Sequence, residues 1–426
     1  MSAKRIVVTG MAINTPLGDN LDTVGMKMLA GQSAISQWKN IDCNGIYSKI
    51  GGELCHFDPQ AKLNTLEPQL PKSVFNKVKR VLKQINPSAK VSVLMSVEAW
   101  LTSGLIEQSL NPYDIGIICG GHNLSDSHLL NQYQIFQEEP EFIDGLCGLN
   151  VLDTDHSSAI AEILNIKGFA YLVGGTCATG NLAMQNALQA IKFDNKKVVT
   201  VLCPIATMNP LMLQALTVLD AICFDGFNHK PQQASRPYDK NRSGFLPSEG
   251  GATLIFEELE HAKARGAHIY AELLAASVNS DANHLGDPCT EGQVHAIKDA
   301  LVKADIHPQQ VDYISAHATS TKLGDVVELN SIEKVFGQHA KNILINAPKS
   351  LLGHTMWASG AVESALAIWQ MNHGEFHQSH NIDNLDPAVK LNVCATGNVK
   401  KQVDVFINNS FGMGGINSAS VFKRFV

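Results

Sequence analysis

Short runs of aliphatic and β-branched residues alternate along this chain with longer stretches whose apolar positions recur at helical spacing, the pattern of an α/β protein. The spacing predicts strands at Arg5–Thr9, Ile115–Cys119, Lys197–Leu202, Ala252–Phe256, Tyr270–Ala275, Val311–Ala316, Ile343–Asn346 and Val403–Ile407. It predicts helices at Leu21–Ala30, Lys90–Ser103, Gly180–Ile191, Glu291–Ala304, Val326–Phe336 and Ser359–Met371. The helix from Gly180 carries no charge between Asn181 and Ile191, and Leu182, Ala183, Met184, Ala187, Leu188 and Ile191 surround it. Its counterpart Ser359–Met371 has only Glu363. Helices apolar on nearly all sides are buried ones, so two central helices between sheets and a multilayer architecture are expected.

The pattern also repeats. A helix ending in Ser103-Gly-Leu leads through Leu110-Asn-Pro-Tyr-Asp into Ile115-Gly-Ile-Ile-Cys; a helix ending in Lys303-Ala-Asp leads through Ile306-His-Pro-Gln-Gln-Val-Asp into Tyr313-Ile-Ser-Ala-His. Later in each half, Cys177-Ala-Thr-Gly-Asn-Leu-Ala-Met answers Thr355-Met-Trp-Ala-Ser-Gly-Ala-Val. Matches in the same order point to a duplicated unit, divided near Glu257–Gly266 into an N-terminal half, 1–257, and a C-terminal half, 258–426.

Composition narrows the function. The 426 residues are 45% hydrophobic and 17% charged, normal for a packed protein and unlike a disordered chain. A net charge of −7 argues against a general nucleic-acid binder. The most apolar stretch, from Val198 to Phe224, is broken by Pro204, Asn209, Pro210 and Asp220, so no membrane span is expected. The N-terminus enters Arg5-Ile-Val-Val-Thr without a signal-peptide core, and a cytoplasmic protein is the expectation. Nine scattered cysteines include no C-x-x-C pair, and sixteen histidines show no zinc spacing, so neither disulfide framework nor metal is expected. Neither a Walker loop nor a complete G-x-G-x-x-G follows a strand, which removes nucleotide chemistry.

The residues that remain suit acyl chemistry. Cys177, in Val173-Gly-Gly-Thr-Cys-Ala-Thr-Gly, lies between a strand and the first buried helix, where the peptide dipoles favour a thiolate. His317 ends the strand Val311–Ala316, and His354 stands shortly before the second buried helix, a setting that keeps imidazole neutral. Lys349, among apolar neighbours, needs a carboxylate partner, for which Glu328 is a candidate. The run Phe411-Gly412-Met413-Gly-Gly after the last predicted strand can present backbone N–H groups to an oxyanion.

These residues, with Val7-Val-Thr-Gly-Met, Thr15-Pro-Leu-Gly, Ala234-Ser-Arg-Pro-Tyr-Asp-Lys-Asn-Arg-Ser-Gly-Phe and Asn409-Ser-Phe-Gly-Met-Gly-Gly, give the chain its resemblance. It resembles the β-ketoacyl-acyl-carrier-protein synthases of the thiolase superfamily, in particular the synthase II branch and the ketosynthase α subunits of type II polyketide synthases. The resemblance implies a thiolase-like fold, a duplicated αβαβα layered architecture. It implies an acyltransferase that joins malonyl units to a Cys177-bound acyl chain with loss of carbon dioxide. Within it Cys177 matches the nucleophile, His317 and His354 the pair that stabilises the enolate, and Lys349 the lysine beside them. Glu328 matches the ion-pair partner of that lysine and Glu363 a supporting carboxylate. The N–H groups of Cys177 and Met413 match the oxyanion hole, and Thr319 and Thr321 hold the phosphopantetheine arm. No cofactor beyond that carrier-borne arm is implied; the implied partners are an acyl carrier protein and a dimer mate, either a second copy or a chain-length-factor-like homologue.

Departures from the family pattern bear on substrate choice. Ala318 replaces a usual glycine, Lys322 a proline, Trp357 a glycine or alanine, and Met413 a gating phenylalanine. Val201-Leu-Cys-Pro-Ile-Ala and Cys223–Lys230 also depart from it. With cysteine, histidines and lysine intact, a specialised polyketide or polyene ketosynthase is expected; the alternatives are a housekeeping elongation synthase, a non-catalytic chain-length factor and a thiolase. Lys72, Lys77, Lys79, Arg80, Lys83 and Lys90 stand in a stretch without acids, a candidate docking patch for an acidic carrier protein.

Overall fold

The computed structural model describes residues 4–224 and 226–426; Asp225, within the divergent Cys223–Lys230 segment, lies outside the described residues. Ten strands form one sheet: β1 (Ile6–Asn14), β2 (Ile115–Gly120), β3 (Phe169–Val173), β4 (Val198–Cys203), β5 (Gly251–Glu258), β6 (Ala271–Ser280), β7 (Tyr313–Ser315), β8 (Leu344–Asn346), β9 (Val405–Gly412) and β10 (Ile416–Lys423). Their order is β8-β7-β9-β10-β6-β1-β5-β4-β2-β3. Outward from the centre, each half places its first, last, fourth, second and third strand in turn. The directions repeat too: β2 pairs parallel with β3 and β4, as β7 does with β8 and β9, while all other pairings are antiparallel. The halves meet where Ile6, Val7 and Val8 of β1 face Leu273, Glu272 and Ala271 of β6.

Between the halves run two 15-residue helices, Thr179–Phe193 and Ser359–His373, each preceded by a single three-residue 3-10 turn. Every residue from Ser359 to Met371 is buried. Each central helix packs against strands of its own half and of the other half. They approach most closely at their N-termini, where a Cβ on Gly180 would lie 2.5 Å from the Ala361 nitrogen and one on Gly360 2.9 Å from the Asn181 nitrogen. Only glycine allows that approach. Asn408 of β9 locks it, donating to Asn181 Oδ1 and to the Gly360 carbonyl at 3.2 and 3.0 Å.

The architecture is the layered α/β fold expected, with the two sheets joined into one. The predicted strand Arg5–Thr9 continues to Asn14, and Val403–Ile407 begins two residues later and continues to Gly412. The glycine run after it is a hairpin turn, because Ile416–Lys423 returns antiparallel to β9. Helices at Lys72–Val81, Asp126–Glu138 and Thr154–Leu164 have no counterpart among the predicted elements. Among the described residues no helix is long and apolar enough to cross a membrane.

Candidate active site

Cys177 occupies the 3-10 turn Thr176–Ala178 at the head of the first central helix. The turn is strained: Thr176 sits at φ +49°. Its hydroxyl reaches the carbonyls of Gly175 and Met413 at 2.8 and 2.9 Å, tying the turn to the β9–β10 hairpin. Gly412 permits the contact, since a Cβ there would lie 2.1 Å from Thr176 Oγ1. The backbone N–H groups of Met413 and Cys177 both lie against Sγ.

Sequence position alone suggested a thiolate; the surroundings reverse that. Burial pushes the Cys177 thiol up to about 11, against the opposing pull of the Lys349 charge and the two N–H groups. At neutral pH the resting sulfur therefore keeps its proton.

His354 Nε2 lies 3.1 Å from Cys177 Sγ. Its Nδ1 accepts the backbone N–H of Met356 at 3.0 Å and lies 3.0 Å from Ser359 Oγ, so the neutral ring carries its proton on Nε2, facing the sulfur. His317 stands edge-on to His354, ring centroids 5.5 Å apart, and its Nδ1 lies 3.4 Å from Lys349 Nζ. An ammonium only donates, which again assigns the imidazole proton to Nε2. Burial first, and then the Lys349 charge, hold both rings well below the ordinary imidazole value, so both are neutral N–H donors. The sulfur and one nitrogen of each ring fall within 4.8 Å of one another.

The carboxylates have exchanged the parts that the sequence suggested. Lys349 pairs with Glu363 of the second central helix, Nζ to Oε1 2.5 Å, both buried. Glu328 takes the backbone N–H groups of His317 and Ala318 at 2.9 and 2.8 Å and the Asn409 amide at 3.0 Å. It thus aims the His317 loop, and it feels the Lys349 charge without a direct contact to it. Burial raises Glu363 to about 7 and also raises Glu328.

The loop after His317 is strained where the family pattern has glycine: Ala318 is at φ +29° and Ser320 at φ +70°. The segment from Ala234 clamps it. Arg242 donates to the carbonyls of Thr321 and Lys322 at 2.9 and 2.7 Å, and the Arg236 N–H to Ser320 Oγ at 3.1 Å. Thr319 and Thr321 lie with their hydroxyls 3.1 Å apart in this loop. Phe411 packs against the His317 ring, centroids 5.8 Å apart.

A thiol, two neutral N–H donors, an ammonium and two backbone N–H groups around one sulfur form a set for taking up an acyl group and stabilising an oxyanion. The comparisons agree. Residues 3–262 match the beta-ketoacyl synthase N-terminal domain and residues 270–383 its C-terminal domain. The chain belongs to the beta-ketoacyl synthase family. It is 32% identical to the chloroplastic 3-oxoacyl-[acyl-carrier-protein] synthase I of Arabidopsis thaliana, over 99% of this chain and 87% of that one. It is 29% identical to the polyketide biosynthesis malonyl-ACP decarboxylase PksF of Bacillus subtilis, over 97% and 95%. Among solved structures, the ishigamide ketosynthase/chain length factor superposes with a TM-score of 0.87 at 25% identity, covering 100% of both chains. This beta-ketoacyl synthase is a carbon–carbon-bond-forming acyltransferase.

Beside Cys177 the synthase has a cleft of about 160 Å³, lined in part by Met208, Met212, Met356, Met413, His122 and Trp357. His122 carried no signal in the sequence reading; it follows β2 and reaches the cleft only through the fold. Asn409 and Ser359 were missed as positioning residues for the same reason: their partners lie far away or in a turn.

Proposed function

We infer that this synthase performs a decarboxylative Claisen condensation between an acyl group on Cys177 and a malonyl group on an acyl carrier protein. The observation that carries the reading is the approach of one thiol and two neutral N–H imidazoles within 4.8 Å. Cys177 attacks an acyl thioester; the new C–S bond forms as the old one breaks, and the thiol proton goes to the departing carrier thiolate. Malonyl thioester then enters along the arm that Thr319 and Thr321 hold. Its C–C bond breaks, carbon dioxide leaves, and the electron pair spreads onto the thioester oxygen between His317 and His354. The enolate carbon attacks the acyl-cysteine, whose oxyanion is received by the N–H groups of Cys177 and Met413. The C–S bond breaks, and the cysteine thiolate recovers a proton from solvent.

No metal or redox step enters this balance. Cysteine and two histidines do gather like metal ligands, but Lys349 Nζ, 3.4 Å from His317 Nδ1, opposes a second cation there.

The pathway we favour is a specialised type II polyketide or polyene pathway, supported by Ala318, Lys322, Trp357 and Met413 in place of the family's usual residues. Housekeeping elongation is the alternative. For the partners, the outer edge of β3 has no strand beside it among the described residues and exposes Tyr171, and the segment from Asp126 exposes Leu129, Tyr133, Phe136, Phe142 and Leu149. An open edge and exposed apolar side chains suit a dimer mate, a second copy or a chain-length-factor-like homologue. The carrier protein itself fits the basic helix Lys72–Val81. Substrates on such a carrier suit a cytoplasmic enzyme.

The test is incubation with acyl- and malonyl-carrier proteins, following intact mass and carbon dioxide. A covalent acyl adduct should form and be lost in Cys177→Ala, with condensation falling on the order of 10⁴-fold or more. Carbon dioxide release without any adduct on the wild-type protein would move the chain to the malonyl-ACP decarboxylase it resembles.

A further inference from the structure

The wall of the cleft beside Cys177 is built from two unlike materials. Met208, Met212 and Met413 are flexible side chains that reshape around a guest. Trp357 is fixed. Its indole Nε1 donates to the Pro204 carbonyl at 2.9 Å, and its ring leans on His122 with centroids 5.1 Å apart. Behind it the backbone is close: a Cβ on Gly121 would lie 3.2 Å from the indole. Trp357 follows Met356, whose φ is +52° and whose N–H holds His354 Nδ1. Swinging the indole aside would break its bond to the Pro204 carbonyl and its packing on His122, so the wall is held in place.

With one side fixed, only the methionines can give, so the resting size of the cleft sets the scale of the guest it takes. At about 160 Å³ it is close to the ~150 Å³ cavity that just admits benzene. We propose that Trp357 is the specificity-determining residue for acyl length, confining Cys177 to short acyl groups such as butanoyl and hexanoyl and excluding long fatty chains. The inference rests on the reading that Cys177 carries the acyl group. The indole is itself larger than benzene, so replacing it by a methyl group opens space comparable to the whole cleft.

The experiment measures acylation of Cys177 by intact mass, using N-acetylcysteamine thioesters from acetyl to dodecanoyl. The wild-type protein should load butanoyl and hexanoyl at least about tenfold faster than dodecanoyl. Trp357→Ala should bring dodecanoyl within about threefold of butanoyl, whereas Trp357→Phe, which keeps a ring in place, should retain most of the preference. Equal loading of butanoyl and dodecanoyl by the wild-type protein overturns the proposal, even should Trp357→Ala fail to fold. So does a folded Trp357→Ala protein with the wild-type cut-off. A different failure marks the parent reading: if no thioester of any length acylates Cys177 while iodoacetamide alkylates it, the condensation reading falls and takes this one with it.

Discussion

The turns Thr176–Ala178 and Met356–Ala358 are the same piece of backbone built twice. Each is a three-residue 3-10 turn, each opens with a residue forced to positive φ (Thr176 +49°, Met356 +52°), and each leads into a 15-residue central helix. Their contents differ. The first puts Cys177 at its centre; the second puts Trp357 there and uses its leading N–H to hold His354. The hydroxyls that open the two helices differ likewise. Thr179 closes on its own turn, accepting the Gly175 N–H and donating to the Thr176 carbonyl, whereas Ser359 reaches His354 Nδ1. Duplication thus supplied two strained turns facing one another across the Gly180–Gly360 contact. One holds the thiol, and the other supports an imidazole N–H donor and a wall of the cleft.

Breaking the second turn's chemistry should give a large effect of a distinct kind. His354→Ala removes an N–H donor and leaves the Cys177 turn intact, so acylation should persist while carbon dioxide release falls by about 10²–10³-fold. Quenched-flow mass analysis separates the two steps. If acylation and decarboxylation fall together, the two turns do not divide the labour in this way.

The two carboxylates near Lys349 sharpen the comparison at the level of stability. Glu363→Gln leaves a buried ammonium without its counter-charge and should cost about 3–5 kcal/mol in urea unfolding. The double variant Lys349→Met with Glu363→Gln removes the stranded charge and should regain much of that stability without regaining activity. A double variant no more stable than the single one would mean that the pair was not the cause.

The histidines buried outside the site compare the halves through pH. Burial lowers His156, in the N-terminal half, to about 3 and His377, in the C-terminal half, to about 4. Each is neutral when folded, while the unfolded chain takes up a proton below about 6.5, so each costs stability as pH falls, ~1.4 kcal/mol per unit until its folded value is reached. Asp155, raised by burial to about 6, acts in the opposite sense between that value and its ordinary range, because there the folded state holds the extra proton. It offsets part of the His156 loss. His377→Asn should therefore flatten the decline in unfolding midpoint between pH 6.5 and 4. A steeper decline would contradict that sign.

What the sequence disclosed follows the range of the forces involved. Alternation and helical spacing revealed eight of the ten strands with usable bounds and both central helices, because those patterns are local; the echo read as Cys177 against Thr355 lies two residues out, since the turns set Cys177 against Trp357. The last strand was hidden by the glycines of its hairpin. Asp126–Glu138 does carry Leu129, Tyr133 and Phe136 at i, i+4 and i+7, an apolar face that the reading along the chain passed over and that the fold leaves exposed. Cys177, His317 and His354 stood out because strand ends and helix starts are themselves local features. The partner of Lys349 and the protonation of Cys177 did not, since both depend on what distant segments bring near. Glu328 and Glu363 look alike along the chain; only the fold decides which meets the lysine.

The smallest effect tests a difference in what each half carries between its first strand and its first long helix. In the C-terminal half residues 281–289 suffice; in the N-terminal half the chain inserts the basic helix Lys72–Val81 on the way to Pro87–Thr102. The fold also discounts part of that charge. Glu162, 82 residues away, pairs with Arg80 at 2.5 Å, and Lys77 leans on the Ile163 carbonyl at 3.4 Å. Lys72, Lys79 and Lys83 remain exposed. Lys79→Glu with Lys83→Glu should therefore raise KM for carrier-borne malonyl by a few-fold, more at low salt than at high, because exposed charges mainly steer encounter. Reversing Arg80, already half-neutralised, should do less. A malonyl thioester of N-acetylcysteamine carries no acidic protein to steer, so its KM should stay unchanged in every variant; a matching rise there would mean that the substitutions act on the fold, not on a partner.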